Sequence, residues 1–524
     1  MRIGRTTLAL CALLALPATL YADTLDVPAT YATIQAAIDD ADPGDTVLVA
    51  PGTYVELIDF GGLAITVESS GGATVTTIDG NGLGSVVTFT KGEGNASVLR
   101  GFTITGGTGT TDSNFLRGGG IFVKGAGPAI EQCVITLNSA DYGGGVYVND
   151  AQSSDPARLS DCTLSWNDAI SPIPFSGGVG GGFGAFETHM VVEDCLIEHN
   201  TAMLSGAGGA FWGGDFDPLD DWHLDVRRCT VVDNEANLII ATGGGLYLSG
   251  AGIGISADVS NCVIARNSAM SVGGGINRQG FGTTTYCTIT ENSATTGGGL
   301  SQASPSVGMC IIWGNTGGEI GGTTSSVLYC DVRGGYPGTG NIDVDPFFVD
   351  APNGDYHLAP TSACQDAGQP GVTGSGTDID GDPRLSGPAV DIGADEATFP
   401  KSPWTFLGHA LAGTSGTPNM VGSGTVLPGA PTTVTLTGTA PLAPATLVLG
   451  VDSLIVPFKG GVMVPDVDLL LGGLVTDGTG SLVLGGLWPP AIPSGFTPYM
   501  QYWINDTSGP LGFVASNALL VTVP

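Results

Sequence analysis

Apolar and polar positions alternate within a short phrase that recurs seven times between residues 133 and 315. Each phrase starts with Cys, has an aliphatic residue two positions later and ends with Asn five positions after the Cys. The positions one and three after the Cys vary freely, so the alternation is typical of a β-strand with one buried face. The seven pairs are Cys133 and Asn138, Cys162 and Asn167, Cys195 and Asn200, Cys229 and Asn234, Cys262 and Asn267, Cys287 and Asn292, and Cys310 and Asn315.

The distance between phrases predicts how these strands are arranged. Successive phrases begin 23 to 34 residues apart, and a group of glycines follows most of them. Self-similarity at a period of about 20–50 residues marks a solenoid, in which neighbouring turns bury one another's inner face. The sequence therefore predicts an all-β fold with a parallel β-helix over residues 23–398, whose repeat core spans 98–335.

The repeated Asn and Cys side chains have structural interpretations. Stacked Asn amides about 4.8 Å apart can bond one another as a ladder, and Asn tolerates left-handed backbone geometry at a strand end. The alternative is a polar stripe that binds a ligand. We expect the Cys side chains to form a buried stack of thiols that behave as small apolar groups. Isolated disulfides between turns are the alternative.

The N-terminus predicts export and then a capped solenoid. Arg2 and Arg5 precede a short apolar run at 8–16, which with the small residue Ala22 indicates a signal peptide over residues 1–22. We expect no transmembrane segment after its cleavage, and a secreted or cell-surface location. Apolar residues at helical spacing then predict a short helix within 30–41, with Thr30 or Thr33 as its N-cap, covering the open end of the solenoid.

An outward loop at 213–224 carries the candidate catalytic and sugar-binding residues. Carboxylates beside an aromatic ring suit a sugar site, because the ring can stack on the sugar while the acids bond hydroxyl groups or move protons. The catalytic candidates are Asp220, Asp221 and His223, and the binding candidates are Asp215, Asp217 and Trp222. The alternative is a solvated acidic loop with Trp222 packed onto the solenoid.

A second candidate surface is the row of residues that directly precede the repeated Asn residues. Its members are Leu137, Trp166, His199, Asp233, Arg266 and Glu291. This row is either a ligand-contacting stripe or an ordinary exposed face. The five His residues show no spacing typical of metal ligands.

The repeated sequence motif does not continue after the repeat core. In a terminal segment at 343–396, Asp378, Asp380 and Asp382 alternate like calcium ligands, although the Gly and Glu of an EF-hand loop are misplaced. Calcium is the one cofactor that the sequence suggests, and turn-forming Asp residues are the alternative. A linker at 399–403 then leads to a predicted small β-sandwich over 404–524, where turn signals separate short strands.

The strongly negative net charge of the chain excludes one class of binding partner. The chain has a net charge of −34 and only 12% charged residues. Binding to a phosphate backbone requires clustered Lys and Arg side chains, so we expect no nucleic-acid partner. Such an acidic surface should instead attract divalent cations.

Several motifs resemble known families. The phrases Tyr31-Ala-Thr-Ile-Gln-Ala-Ala-Ile38 and Pro51-Gly-Thr-Tyr54 resemble the start of pectin-lyase-fold proteins, which are right-handed parallel β-helices. Gly273-Gly-Gly-Ile276 and Ile289-Thr-Glu-Asn292 are similar to polymorphic outer-membrane-protein repeats, with aliphatic residues in place of the family's Phe. Residues 343–396 resemble the terminal segment of bacterial proteins called choice-of-anchor Q.

The resemblance implies the fold and a right-handed winding, but it brings no activity. The catalytic phrases of polygalacturonases are absent except for two Asp-Asp pairs, Asp39-Asp40 and Asp220-Asp221. We therefore expect an exported, non-catalytic β-helix with an adhesive or glycan-binding role, whose partner is an extracellular glycan or a cell-surface component. The alternative is a polysaccharide lyase or glycoside hydrolase that acts through the acidic loop.

Overall fold

The computed structural model describes residues 22–152, 154–173, 176–213, 221–250, 255–303, 306–323, 326–372, 376–398 and 402–523. The predicted signal peptide, apart from residue 22, lies outside these residues, as do 399–401 of the predicted linker. Nearly all of the described secondary structure is β, and three long parallel sheets run along the repeat region.

The first sheet has twelve strands, each one turn further along the chain than its neighbour. Equivalent residues lie side by side, so that Val192 is paired with Val226 and Val226 with Val259. The strands are Thr24–Val27, Thr46–Val49, Thr66–Ser69, Val98–Arg100, Ala129–Glu131, Ala157–Ser160, Met190–Glu193, His223–Arg227, Ser256–Ser260, Thr283–Thr285, Ser306–Gly308 and Ser326–Leu328.

The second sheet has eleven strands and contains the repeated phrase. Its aliphatic residues stack in register and are fully buried, as Ile135 beside Leu164 and Leu164 beside Ile197 illustrate. The strands are Gly52–Val55, Thr76–Asp79, Thr103–Thr105, Val134–Thr136, Thr163–Ser165, Leu196–Glu198, Thr230–Val232, Val263–Ala265, Thr288–Thr290, Ile311–Trp313 and Asp331–Val332.

The third sheet has ten strands, and a short sheet of five strands lies between it and the second sheet. The third sheet contains Ile58–Asp59, Val87–Phe89, Ile121–Lys124, Val146–Asn149, Phe183–Phe186, Gly209–Gly213, Leu246–Gly250, Ile276–Gln279, Leu300–Ala303 and Ile320–Thr323. The short sheet contains Ser139–Ala140, Asp168–Ala169, Thr201–Ala202, Glu235–Ala236 and Ser268–Ala269. A hairpin of Thr110–Asp112 and Phe115–Arg117 extends from one turn.

This topology is a parallel β-helix, and the predicted fold class is confirmed. The strand pairings of these sheets are parallel and join each turn to the next, so the inward side chains of all turns form one continuous core. Burial of that apolar surface stabilises the fold by roughly 25 cal/mol for each Å² removed from water.

Two corners of each turn use left-handed backbone geometry. The residue before each repeated Cys has a positive φ, and so does the residue before each repeated Asn, with φ near 55° at Trp166 and Arg266. The expectation that the Asn itself adopts this geometry is therefore wrong. The Asn needs its side chain inside the coil, and the residue before it makes the bend and projects outward.

The glycine groups form the third corner. Gly243 has a φ of 65°, a conformation that favours glycine. A Cβ atom on the next residue, Gly244, would lie 2.3 Å from the carbonyl oxygen of Ser268 on the following turn. Side chains are thus excluded here because successive backbones approach each other too closely.

A short helix covers the N-terminal end, as predicted. It spans Ile34–Asp40, and its N-cap Thr33 accepts a hydrogen bond from the backbone N–H of Ala36. Its buried residues are Ile34, Ala37 and Ile38, which join the core of the first turns. The carboxylate of Glu56 accepts bonds from the N–H groups of Ile34 and Gln35, so the first turn of the helix is satisfied.

Among the described residues, no helix is sufficiently long and apolar to cross a membrane.

The terminal segment at 343–396 folds back over the outer face of the second sheet. It contains a hairpin of Phe348–Asp350 and Asp355–Leu358 joined by the 3₁₀-helix Ala351–Asn353. The N–H of Gly393 donates to the carbonyl of Met309 at 3.0 Å, and the N–H of Ala394 donates to Thr288 Oγ1 at 3.1 Å. These contacts join the irregular segment to the regular turns.

The remaining chain forms a β-sandwich whose two larger sheets share one apolar core. Trp404 and Tyr502 from one sheet meet Met420 and Leu436 from the other. The larger sheet contains Trp404–Phe406, Pro444–Gly450, Leu469–Val475, Tyr499–Asn505, Phe513–Ala515 and Leu519–Val521. The smaller sheet contains Asn419–Ser423, Pro431–Thr437 and Leu482–Leu487, and a hairpin pairs Ser453–Phe458 with Gly461–Pro465. A 3₁₀-helix spans Pro510–Gly512.

Candidate functional site

The repeated Asn side chains form a buried ladder. From Asn138 to Asn292, each Nδ2 donates to the Oδ1 of the Asn one turn further on, over distances of 2.9–3.1 Å. Asn315 ends the ladder, and its Nδ2 donates to the carboxylate of Glu319 at 2.6 Å. The same Nδ2 groups also donate to backbone carbonyls of the preceding turn, as Asn200 does to Leu164. Because these polar groups are used inside the coil, the ladder has a structural role and presents nothing to a ligand.

The thiols form a parallel stack. All nine Cys residues of the described chain are free and buried. In eight of them, the Sγ donates to the carbonyl oxygen two residues earlier at 3.1–3.3 Å. The eighth is Cys330, which the repeat pattern missed because Asn does not follow it; its Sγ accepts from Cys310 N. Burial raises the pKa of Cys133 and Cys262 well above the usual range, so these thiols remain protonated.

The acidic loop is described only in part. Asp215, Asp217 and Asp220 lie outside the described residues. The Asp221 side chain is 81% exposed, with a carboxylate oxygen 3.3 Å from His189 Nε2. Trp222 packs against the core, and its indole N–H is buried without an acceptor among the described residues.

The third catalytic candidate, His223, has different partners. Its Nδ1 lies 2.8 Å from Ser256 Oγ, and its Nε2 lies 3.7 Å from a carboxylate oxygen of Asp258. Asp221 thus contacts His189, whereas His223 contacts Ser256 and Asp258, and the described residues do not join Asp221 and His223 as an acid–base pair.

The outward residues before each Asn form a row along one corner of the coil, which we call the corner row. Trp166 is 56% exposed and stacks on His199 with ring centroids 4.5 Å apart and an interplanar angle of 19°. The next two turns place Asp233 beside Arg266, whose Nη2 lies 2.8 Å from the Asp233 carboxylate. The row therefore changes from an aromatic platform to charged groups within a few turns.

A cleft opens where the corner row meets the terminal segment. It has a volume of about 290 Å³, and its floor is the outer face of the second sheet at Thr230, Val232 and Val263. Its walls contain Arg266 from the corner row together with Tyr356, His357, Asp380 and Asp395 from the terminal segment.

Arg266 and Tyr356 are fixed by a chain of hydrogen bonds. The Arg266 guanidinium binds Asp233 through two N–H groups and donates a third to the Tyr356 hydroxyl at 2.7 Å. Tyr356 in turn donates to Glu291 at 3.1 Å. The hydrogen bond with Asp233 raises the pKa of Arg266, and burial raises the pKa of Tyr356 to about 12. At neutral pH the cleft therefore contains a fixed cation and a neutral phenol.

His357 lies between two carboxylates. Its Nδ1 is 2.5 Å from Asp355 Oδ1, and its Nε2 is 2.8 Å from Asp380 Oδ2. Burial opposes the charge on this ring, but the hydrogen bonds with Asp355 and Asp380 outweigh it and raise the pKa of His357 to about 9. Burial raises the pKa of Asp395, and the N–H of Leu358 donates to its carboxylate at 2.8 Å.

One nitrogen of His357 and one carboxylate oxygen from each of Asp380 and Asp395 lie within 4.8 Å of one another. The sequence showed no metal-ligand spacing for any His, because these three residues are far apart along the chain. Two sequence signals pointed to this region, the corner row through Arg266 and the predicted calcium ligands through Asp380.

The predicted calcium ligands do not converge. Asp378 is buried, and its carboxylate accepts bonds from the N–H groups of Asp380, Asp382 and Glu396 at 2.8–3.0 Å. It thus acts as the turn-forming residue of the alternative interpretation. Asp380 faces the cleft, and Asp382 is exposed elsewhere on the turn.

The comparisons with known proteins add little to this geometry. No protein-family model matches the chain, and no curated protein matches it either. A crystal structure of a pectin methylesterase variant in complex with a hexasaccharide is similar to it, with 13% sequence identity. That match covers 59% of this chain and 78% of the esterase chain with a TM-score of 0.20. Such a low TM-score supports no argument about the site, and the fold assignment rests on the parallel sheets themselves.

Proposed function

We propose that the protein is exported and binds an extracellular polysaccharide along the corner row and into the cleft, without cleaving it. The observation that supports this most is the continuity of the surface. An exposed, stacked Trp166–His199 pair leads along one corner to Arg266 and the polar walls of the cleft.

The chemistry of the row suits a sugar chain. An exposed aromatic ring offers an apolar face on which a sugar ring can stack. Three turns separate Trp166 from Arg266, so the row extends for about 14 Å at a spacing of about 4.8 Å per turn. Arg266 and Tyr356 then supply fixed hydrogen-bonding groups that hydroxyl or carboxylate groups of a sugar can reach.

Binding without cleavage is favoured by the pairing of the ionisable groups. Arg266 is held by Asp233, His357 lies between Asp355 and Asp380, and the Asp395 carboxylate accepts a backbone N–H. General acid–base catalysis needs a group within reach of the reacting atom that is free to exchange a proton. The hydrogen bonds with their carboxylate partners raise the pKa values of Arg266 and His357, so both groups are held in their charged forms at neutral pH.

A lyase or hydrolase that acts from the acidic loop is the second candidate. It is favoured by the contact of Asp221 with His189 at 3.3 Å, beside the ring of Trp222. Burial lowers the pKa of His189, so this imidazole is uncharged at neutral pH, which is the form in which a ring nitrogen can act as a general base.

The test is a polysaccharide panel that measures binding and chain cleavage by the purified mature protein. Trp166→Ala and Arg266→Ala should each weaken binding of the captured glycan by at least about tenfold, equivalent to about 1.4 kcal/mol. Arg228→Ala is the matched control. Arg228 lies outside the corner row, at the other left-handed corner directly before Cys229, and makes a two-point ion pair with Asp194 at 2.7 Å. This variant should bind normally.

Each outcome distinguishes the candidates. Equal affinities of the wild type and both corner-row variants would refute the proposed surface. Release of new chain ends that disappears in Asp221→Asn, without a change in melting temperature, would establish the enzyme and refute the non-catalytic role.

A further inference from the structure

We propose that His357, Asp380 and Asp395 form a binding site for one zinc ion, with an open coordination position that faces the cleft. The proposal does not depend on whether the cleft binds a glycan. It starts from the one nitrogen and two carboxylate oxygens that lie within 4.8 Å of one another.

The orientation of His357 is the second, independent observation. Its Nδ1 contacts the carboxylate of Asp355 at 2.5 Å, which leaves Nε2 directed towards Asp380. A metal-binding His almost always donates its other ring N–H to a carboxylate, a carbonyl or water, which fixes the tautomer and the ring plane. Asp355 therefore provides the support that a zinc-binding His requires, and this distinguishes the group from a simple acidic cluster.

The three ligands are held by separate parts of the terminal segment. His357 lies on the strand Asp355–Leu358, whose last N–H fixes one oxygen of Asp395 at 2.8 Å. Asp380 follows the buried Asp378, whose carboxylate holds the turn through the backbone N–H of Asp380. A rigid turn and a paired strand thus position the ligands before any ion binds.

The ligand set favours zinc over calcium. Zinc takes imidazole nitrogen and carboxylate oxygen at about 2.0–2.2 Å, and open zinc sites have three protein ligands plus water. Calcium takes six to eight oxygen ligands, which this group does not supply. Asp380 has a side chain 46% exposed, so its carboxylate can rotate to close the remaining distance.

Binding exchanges one set of contacts for another. The Nε2–Asp380 hydrogen bond is replaced by a bond from each atom to zinc, and any proton on Nε2 is released to solvent. Nδ1 keeps its contact with Asp355 throughout. The fourth position is then open to water or to an oxygen of a ligand in the cleft.

The experiment uses the full mature protein, stripped with a chelator and titrated with zinc chloride by calorimetry. We expect one site that is lost or at least about 100-fold weaker in His357→Ala and Asp380→Asn. Asp355→Asn should weaken binding by about 10–100-fold, as expected for an outer partner of a metal-binding His. Asp382→Ala is the control, because this exposed Asp lies on the same turn but outside the ligand group; it should bind zinc as the wild type does.

Two results would overturn the proposal. One is an equal zinc affinity in the wild type and in Asp380→Asn, whose exposed side chain can be changed without disturbing the core. The other is an equal loss in Asp382→Ala, which would mean that zinc binds diffusely to acidic groups. Melting temperatures of the metal-free variants identify any that fail to fold, and Asp380→Asn then decides the outcome.

Discussion

The repeat core and the terminal segment bury polar groups in opposite ways. In the repeat core, each Asn from Asn138 to Asn292 donates to the same residue on the next turn, so one rule covers the ladder as far as Asn315. In the terminal segment, buried acids such as Asp391 and Glu396 contact unlike partners, and Arg384 is the buried cation near them. The repeat core therefore uses the same hydrogen bond for each buried Asn, whereas the terminal segment pairs each buried polar group with a different partner.

The difference shows where functional chemistry can arise. A periodic ladder uses all its polar groups internally, and the repeat core varies freely only on its outer positions. The terminal segment brings together His357, Asp380 and Asp395, which no period relates. The cleft lies where the irregular segment covers a regular sheet, and each region supplies part of its wall.

The largest expected effect comes from breaking the ladder in its middle. Asn200→Ala removes two donated and two accepted side-chain hydrogen bonds and leaves the buried N–H of Asn167 without its acceptor. Since the orphaned N–H costs about 1–3 kcal/mol and each of the other lost hydrogen bonds costs about 0.5–1.5 kcal/mol, we expect a loss of about 4 kcal/mol in the free energy of unfolding, measured by urea denaturation. The exposed Asn353→Ala is the control and should change little; comparable losses in both would contradict the ladder's role.

A smaller loss of stability is expected from Arg384→Ala, which should loosen the terminal segment from the repeat core. The guanidinium of Arg384 is 1% exposed, lies 4.4 Å from the ring of Tyr286, and donates to the carbonyls of Asp391 and Ala394. Arg384→Ala should cost about 3 kcal/mol, because removal of one partner leaves buried polar groups unpaired.

The loss at Arg384 should be local. Hydrogen exchange measured by mass spectrometry should accelerate in 376–398, while the amides around Ile197 stay protected. Equal acceleration in both regions would mean that the terminal segment and the repeat core unfold as one unit.

The smallest expected effect is a change in the pH dependence of stability, caused by Asp331 where the repeat core meets the terminal segment. Asp331 is fully buried, and burial raises its pKa to about 8. Its carboxyl group accepts from the N–H of Val344 and from the thiol of Cys364. The folded state therefore holds a proton that the unfolded state releases above about pH 4.

Because the folded state binds this extra proton, the stability of the protein should decrease as the pH rises. Stability from Asp331 is complete below about pH 4 and falls by about 1.4 kcal/mol per pH unit up to about pH 8. Asp331→Asn should remove about 2–3 kcal/mol of the difference in unfolding free energy between pH 5.5 and 7.5. Urea denaturation at the two pH values measures this, with the exposed Asp382→Asn as control; an unchanged pH dependence would refute the protonated state of Asp331.

The sequence predicted what repeats and missed what does not. The parallel β-helix and the positions of Asn138 and Cys133 follow from the period, and the helix Ile34–Asp40 follows from its own apolar spacing. Cys330 was missed because no Asn follows it, although it continues the stack.

The site itself could be predicted only in part. Arg266 belonged to a row whose outward position was clear from the repeat, whereas Tyr356, His357 and Asp395 are placed by the folding back of the terminal segment. No local pattern reports that contact, because it depends on which face of the second sheet the segment covers. Asp380 was singled out for its alternation with Asp378, but its partner is His357.

The stack of thiols has a kinetic consequence. Native packing separates these sulfur atoms from oxidants, and parallel Cβ directions keep neighbours from pairing. A turn that opens under oxidising conditions exposes several thiols at once in a flexible chain, where any pair can cross-link. Refolding would then require every disulfide formed in the unfolded chain to be reduced again. Under such conditions the lifetime of this protein is set by its rate of unfolding rather than by its equilibrium stability.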